Sequence, residues 1–174
     1  MESKKTMSQS EEAQINVTYG ELKDLLKTLI KTKLSYNQIS TRLKRQGVTS
    51  GQDSEEDFNN YIENSVDDVS YLISSKIRYD FSKSGVITSE HDLTQKMFLE
   101  NIAPELYSII SNLSLEREKY KDAYSEMEEN SFEVGVSDFN EFVNNINDNI
   151  FNVAIMISGK FVAEIIKEVS DEQE

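Results

Sequence analysis

The chain has 174 residues, and its 18 Lys and Arg against 32 Asp and Glu give a net charge of -14 at pH 7. It contains no cysteine and one histidine, which excludes disulfide frameworks, thiolate zinc sites, cysteine nucleophiles and sites built from paired histidines. The longest dense apolar stretch, 150–157, is much shorter than the roughly 20 residues of a membrane span, and the N-terminus lacks the apolar run of a secretory signal. We therefore expect a cytoplasmic protein with no membrane partner, in the host cytoplasm if a phage encodes it.

Scarce turn residues and uneven charge together suggest the architecture. The one proline and six isolated glycines favour long helices over a sandwich or barrel, which needs many turns. Residues 1–50 carry +4 and the rest of the chain carries -18. We predict an all-α protein of five to six helices, with a disordered tail over 1–14, a small basic helical hairpin over 15–50, and an acidic helical bundle with a long C-terminal helix over 51–170.

The basic segment carries two helix-start signals. Thr18 has a glutamate three residues later, the spacing of a capping box, and leucines follow at helical intervals. Ser35 repeats this spacing with a glutamine, so a second helix is predicted over 36–46. Gly47 is suited to its end, because glycine adopts positive φ without a Cβ clash.

The acidic body contains further start and stop signals. A third helix is predicted from residue 53 or 54 to just before Gly85, and a fourth from residue 88 or 89. Pro104 lacks an amide hydrogen, so we expect a kink or a fresh helix start at 103–105. The last helix is predicted from Ser137 to about residue 169, with an apolar stripe that is wider than one face.

The stretch 34–48 resembles one helix of a helix-turn-helix unit, with 54–64 as the other. The resemblance covers about 30 residues, and the second helix opens with three acids that oppose contact with phosphates. Alternatively, residues 36–46 are themselves the recognition helix that contacts the DNA bases. A third interpretation is that the Lys and Arg of this segment only solvate the outer face of a two-helix hairpin. The candidate nucleic-acid contacts are Asn37, Gln38, Thr41, Arg42, Lys44 and Arg45.

The acidic body offers carboxylates that could occupy a basic groove built for nucleic-acid phosphates. Ordinary solubility explains the same surplus charge. The candidate acidic interaction surface consists of Glu55, Glu56, Asp57, Glu63, Asp67, Asp68, Glu126, Glu128 and Glu129.

Catalytic and metal-binding motifs are missing from the sequence. No glutamate stands three residues before His91, and the Asp138–Asn140 stretch lacks the glycine and glutamate of a calcium loop. The nucleophile-elbow, phosphate-loop and dinucleotide-binding motifs are also absent. We expect no catalytic residue, no metal and no cofactor.

The width of the last apolar stripe leaves self-association open. It is most simply the core of one bundle, but a dimer interface would also use it. The candidate self-association residues are Ile150, Val153, Ile157, Phe161 and Ile165.

Two functional hypotheses follow. The first is a non-enzymatic adaptor or inhibitor that engages a basic, nucleic-acid-handling protein through its acidic surface. Small acidic proteins of this composition are common on phages and mobile elements, so such an origin is compatible with this hypothesis. The alternative is a helix-turn-helix-like DNA-binding regulator or packaging-type protein, in which 18–64 touches DNA and the bundle oligomerises.

Overall fold

The computed structural model describes residues 17–48, 52–84, 98–130 and 135–173. The predicted tail over 1–14, the predicted helix start at 88 or 89, and His91 lie outside these residues. All regular secondary structure within the described ranges is helical, which confirms the all-α class and the long C-terminal helix. The helices are α1 (Tyr19–Arg45), α2 (Gln52–Ser84), α3 (98–102), α4 (Pro104–Glu129) and α5 (Val136–Asp171).

The chain forms two compact units that cut across the predicted domain boundary at residue 50. Unit 1 comprises Met1–Ile73 and Phe161–Glu174, and unit 2 comprises Ser74–Lys160. The basic segment and the first part of the acidic body therefore belong to the same unit. The helices α2 and α5 each contribute residues to both units.

The start of α1 confirms the predicted capping box. The Glu21 amide donates to the Thr18 hydroxyl at 3.1 Å, and the Thr18 amide donates to the Glu21 carboxylate at 2.7 Å. Two of the amides that a helix start leaves without partners are satisfied in this way. This reciprocal pair fixes the residue at which α1 begins.

The end of α1 confirms the role predicted for Gly47. Its φ is 77°, and its amide donates to the Lys44 carbonyl at 3.0 Å while the Val48 amide donates to the Leu43 carbonyl at 3.0 Å. This pair of bonds is a Schellman motif, which glycine favours because a side chain at that φ would be strained.

The predicted break between two helices at Ser35 is wrong, because α1 is a single helix of 27 residues. A serine with a glutamine three residues later caps a helix only where its backbone is extended, and the same spacing occurs inside helices. Here Tyr36 stacks on Phe58 of α2 with ring centroids 4.1 Å apart, and Ser40 is buried. Packing along the full length of α1 therefore replaces the predicted hairpin over 15–50.

Pro104 begins α4, which confirms the predicted fresh start. Proline at the first helical position loses no intrahelical hydrogen bond, because that amide would have no partner in any case. The predicted end of the third helix before Gly85 is also confirmed, since α2 ends at Ser84.

Each unit has its own set of buried apolar side chains. In unit 1 they come from α1, the first part of α2 and the last part of α5, and they include Tyr19, Leu22, Leu26, Ile62, Val69, Ile73, Phe161, Ile165 and Val169. In unit 2 they include Ile77, Phe81, Leu99, Tyr107, Ile110, Ile150, Ala154 and Ile157. Burial of these side chains is the main favourable contribution to folding.

Candidate functional site

The lysines of α1 that gave the N-terminal segment its basic character are paired with acids from the end of α5. Lys23 and Lys27 both contact Glu168, at 3.1 and 2.6 Å, and Lys31 contacts Glu172 at 2.6 Å. Residue numbers rise together on the two helices, so α1 and this part of α5 run parallel. The hydrogen bond from Lys27 holds the pKa of Glu168 below its usual value, and the same bond raises the pKa of Lys27.

A second set of contacts joins α1 to α2. Lys33 pairs with Glu63, and both Lys44 and the Ser40 hydroxyl donate to Glu55. Numbers rise along α1 as they fall along α2, so these helices run antiparallel. Hydrogen bonds from Lys44 and Ser40 lower the pKa of Glu55, which keeps this half-buried carboxylate ionised.

These contacts do not produce the predicted helix-turn-helix arrangement. In such a unit two short helices cross at about 90–120° after a turn of three or four residues. Here 36–46 is the end of the 27-residue α1, and 54–64 lies within the 33-residue α2. Contacts spread along an antiparallel pair, so these two helices do not cross as a helix-turn-helix unit requires.

The predicted nucleic-acid contacts are divided between two faces of α1. Lys44 is exposed but pairs with Glu55, and Asn37 is half-buried. The other four share an exposed face at helical spacing: Gln38, Thr41, Arg42 and Arg45. Among the seven Lys and Arg of the described part of 15–50, Arg42 and Arg45 alone make no ion pair within the described residues.

The charge of unit 1 as a whole is negative. Its described residues contain eight Lys or Arg and thirteen Asp or Glu. A surface that binds phosphates needs a local excess of positive charge. The basic N-terminal segment therefore folds into an acidic unit, a result that the sequence division at residue 50 did not indicate.

The predicted acidic residues of α2 fall into two groups. Glu55 and Glu63 face α1 and pair with its lysines, so they stabilise the fold. The other four are exposed and make no ion pair within the described residues: Glu56, Asp57, Asp67 and Asp68. We call these four the α2 acidic face.

Two tyrosines lie on the same side of α2 as this face. Tyr61 is 67% exposed and Tyr71 is 64% exposed, and their spacing of ten residues places them close to the acids on the helix surface. The segment 52–73 contains no Lys or Arg at all. Carboxylates beside exposed aromatic rings suit a partner that presents arginine, which binds both.

The second predicted acidic group lies at the C-terminal end of α4. Glu126, Glu128 and Glu129 are exposed there, and no basic residue occupies the last turn. Acids at this end of a helix are unfavourable, because the unpaired carbonyls already carry partial negative charge. These acids belong to unit 2, whereas the α2 acidic face belongs to unit 1.

The predicted self-association residues are core residues, so that prediction is wrong for these positions. Their exposed fractions are at most 9%, at Val153. They lie on the side of α5 that packs on other helices. The set is Ile150, Val153, Ile157, Phe161 and Ile165.

Sequence reasoning missed Arg117, a buried charge in unit 2. Its guanidinium donates to the Phe81 carbonyl at 2.8 Å, to Asn147 Oδ1 at 2.9 Å and to Glu118 Oε1 at 3.1 Å. Phe81 lies in the last turn of α2, where carbonyls lack helical partners. Arg117 therefore ties α4 to α2 and α5, and an arginine between two glutamates in sequence gives no signal of this.

An aromatic ladder joins α4 to α5 in the same unit. Tyr120 contacts Phe142 and Tyr124 contacts Phe139, with ring centroids 3.9 and 4.0 Å apart. Burial and the hydrogen bond to Glu128 raise the pKa of Tyr124. The rings stack on one another and leave no cage between them, so this ladder is packing.

No three His, Cys, Asp or Glu side chains converge as metal ligands within the described residues. The same residues contain one helix, α5, that is long and apolar enough to cross a membrane. Helices buried in the core of a water-soluble protein satisfy that criterion too, and one face of α5 is packed against protein. No protein-family model, no curated protein and no solved structure matches this chain.

Proposed function

We propose that the chain is a non-enzymatic binding protein whose α2 acidic face engages a basic, nucleic-acid-handling protein, as an adaptor or inhibitor. The observation that carries this proposal is the segment 52–73, which has seven acids and no base. Four of those acids are exposed and unpaired within the described residues. The proposal also implies a cytoplasmic protein, and it is compatible with a phage or mobile-element origin.

The alternative explanation of these acids is local stabilisation of the helix. Glu56 and Asp57 lie near the start of α2, where negative charge is favourable. That effect falls off within the first turn, however, and Asp67 and Asp68 lie about three turns further along. Helix stabilisation therefore accounts for only one end of the α2 acidic face.

The dimensions of the face suit a basic protein surface. Eleven residues separate Glu56 from Asp67, which places them about 16 Å apart along the helix. One strand of DNA carries a phosphate about every 3.4 Å of helix axis, so the α2 acidic face has far fewer negative charges per unit length than a DNA duplex. Recognition would then depend on pairing with a few arginines and on contact with Tyr61, as is common at protein interfaces.

Competition against DNA tests this function directly. A labelled DNA duplex is first bound to an arginine-rich peptide, and the protein is added at low and at physiological salt. We expect the wild-type protein to release the duplex by binding the peptide, and to shift no duplex on its own in a gel. Retention of the duplex on the peptide would contradict the proposal, and a gel shift that Arg42→Ala with Arg45→Ala abolishes would favour the DNA-binding alternative.

A further inference from the structure

The outward face of α5 exposes apolar side chains over three turns. Ile155, Met156 and Ile166 are 47%, 57% and 45% exposed, and Val162 is half-buried beside them. Gly159 and Ala163 lie on the same face and are also exposed. At 100° per residue these positions form one continuous stripe on the side opposite Ile157 and Phe161. We call it the α5 apolar face.

Gly159 lies at the centre of this face and is exposed. A Cβ added to it would meet nothing within 4 Å, and its φ is not positive. Glycine inside a helix is less stable than alanine, and its usual justification is the close approach of another backbone. An unfavourable glycine on an exposed apolar face therefore indicates that a second helix approaches there.

We propose that the α5 apolar face binds the same face of a second copy of this chain, with the two α5 helices antiparallel about a two-fold axis. Centring the axis near residue 162 places Ile166 of each copy over Gly159 of the other, and Val162 opposite Ala163. The isoleucine side chain fills the recess that the glycine leaves. The patch is thus complementary to itself, as a two-fold interface requires.

Charges at the edge of the face support the same register. Lys160 and Glu164 are exposed on one flank, and neither makes an ion pair within the described residues. In the antiparallel arrangement Lys160 of one copy lies beside Glu164 of the other, and the symmetry makes this pair twice. A parallel arrangement would place the charged flank against the uncharged one.

A lipid surface is a less suitable occupant of this face. A lone spanning helix is surrounded by lipid, whereas α5 has Lys160 and Glu164 beside the stripe and packs Ile157 and Phe161 against protein. Helices that lie on membranes carry Lys and Arg on the polar face, and a chain with net charge -14 is repelled by anionic lipids. A second copy of the chain contacts only the apolar stripe and its charged flank, so neither argument applies to it.

Sedimentation of the full chain tests the proposal. The contact spans only about 17 Å of helix, so we expect a weak dimer, seen between about 1 and 200 µM as a mass that rises from 20.0 kDa toward twice that value. Gly159→Leu should weaken the dimer at least about tenfold while thermal stability is unchanged or higher, because leucine is a better helix former than glycine. Ile109→Glu is the control, since Ile109 is equally exposed but lies on α4.

Charge reversal tests the register separately. Lys160→Glu should weaken the dimer, and Lys160→Glu combined with Glu164→Lys should restore it, because the symmetric pairs form again with reversed sign. A wild-type chain that stays monomeric throughout the series overturns the proposal. So does a Gly159→Leu dimer of wild-type affinity, or binding of neutral phosphatidylcholine vesicles without any dimer.

Discussion

Replacing Arg117 with methionine should destabilise unit 2 by an amount that can be worked out from its three hydrogen bonds. Arg117 is 3% exposed, and methionine preserves much of the apolar bulk of the side chain but none of the donors. The Phe81 carbonyl would lose the donor that lies 2.8 Å away. A buried acceptor left without a partner costs about 1–3 kcal/mol.

The other two partners contribute less to that cost. Asn147 is exposed and Glu118 is 39% exposed, so water can replace the guanidinium at both. Removing the charge also removes its desolvation penalty, which offsets part of the loss. We therefore expect the free energy of unfolding to fall by about 2 kcal/mol for Arg117→Met, and by about half as much for Arg117→Lys, whose ammonium keeps the charge but not the planar fork.

Urea unfolding followed by far-ultraviolet circular dichroism measures this loss. With a typical slope of about 2 kcal/mol per molar urea, Arg117→Met should lower the midpoint by about 1 M. Lys119→Met is the matched control on the same helix, because its exposed pair with Glu116 contributes only about 0.3 kcal/mol. If Arg117→Met and Lys119→Met differ by less than about 0.5 kcal/mol, the role assigned to Arg117 is wrong.

Four further outcomes follow from other features of the structure. Gly47→Ala should destabilise the protein by about 1 kcal/mol in urea unfolding, because φ is 77° there, whereas Gly159→Ala should stabilise each chain by about 0.5–1 kcal/mol in the same assay. The lowered pKa of Glu168 means that its contribution to stability is complete at neutral pH and is lost as pH falls below about 4. The difference in melting temperature between wild type and Glu168→Gln should therefore shrink in acid, and a constant difference would contradict the assigned pairing with Lys27. The raised pKa of Lys27 acts in the opposite direction, so its contribution should be lost only as pH rises past its normal value in an alkaline titration.

Local signals in the sequence predicted the helix ends well. Thr18, Gly47 and Pro104 each act through backbone groups within a few residues, so the neighbouring residues in the sequence are enough to predict their effect. Ser35 carried the same kind of signal and was misleading. Its neighbour Tyr36 packs on Phe58, and a contact over that separation outweighs a weak local preference.

The charge pattern was harder to interpret from the sequence. The basic excess of the N-terminal segment suggested contact with phosphates, but its lysines pair with acids as distant as Glu168 and Glu172. Such pairing depends on which helices meet and in which direction, and a single sequence does not specify either. For the same reason, the sequence did not show that Glu55 and Glu63 pair with α1 while the other candidate acids of α2 are exposed.

The two apolar sides of α5 were not distinguished for a related reason. Periodicity showed that apolar residues exceed one face, but not which side faces the core. The residues predicted for self-association, such as Ile157, lie on the side of α5 that packs into the core. Ile155 and Ile166 are the exposed ones, and Gly159 between them is the signal that could have identified this face.

The affinity for an arginine-rich peptide tests the central claim most directly, measured by fluorescence anisotropy on three forms of the protein. In one variant the α2 acidic face is neutralised (Glu56→Gln, Asp57→Asn, Asp67→Asn and Asp68→Asn), and in its control four exposed acids of α4 are neutralised (Asp122→Asn, Glu126→Gln, Glu128→Gln and Glu129→Gln). Both variants change the net charge by the same amount. Exposed ion pairs contribute about 0.2–1 kcal/mol each, so we predict binding about 30-fold weaker for the α2 variant and nearly unchanged for the control. Equal losses in both would show that only total charge matters, and would contradict a specific site on α2.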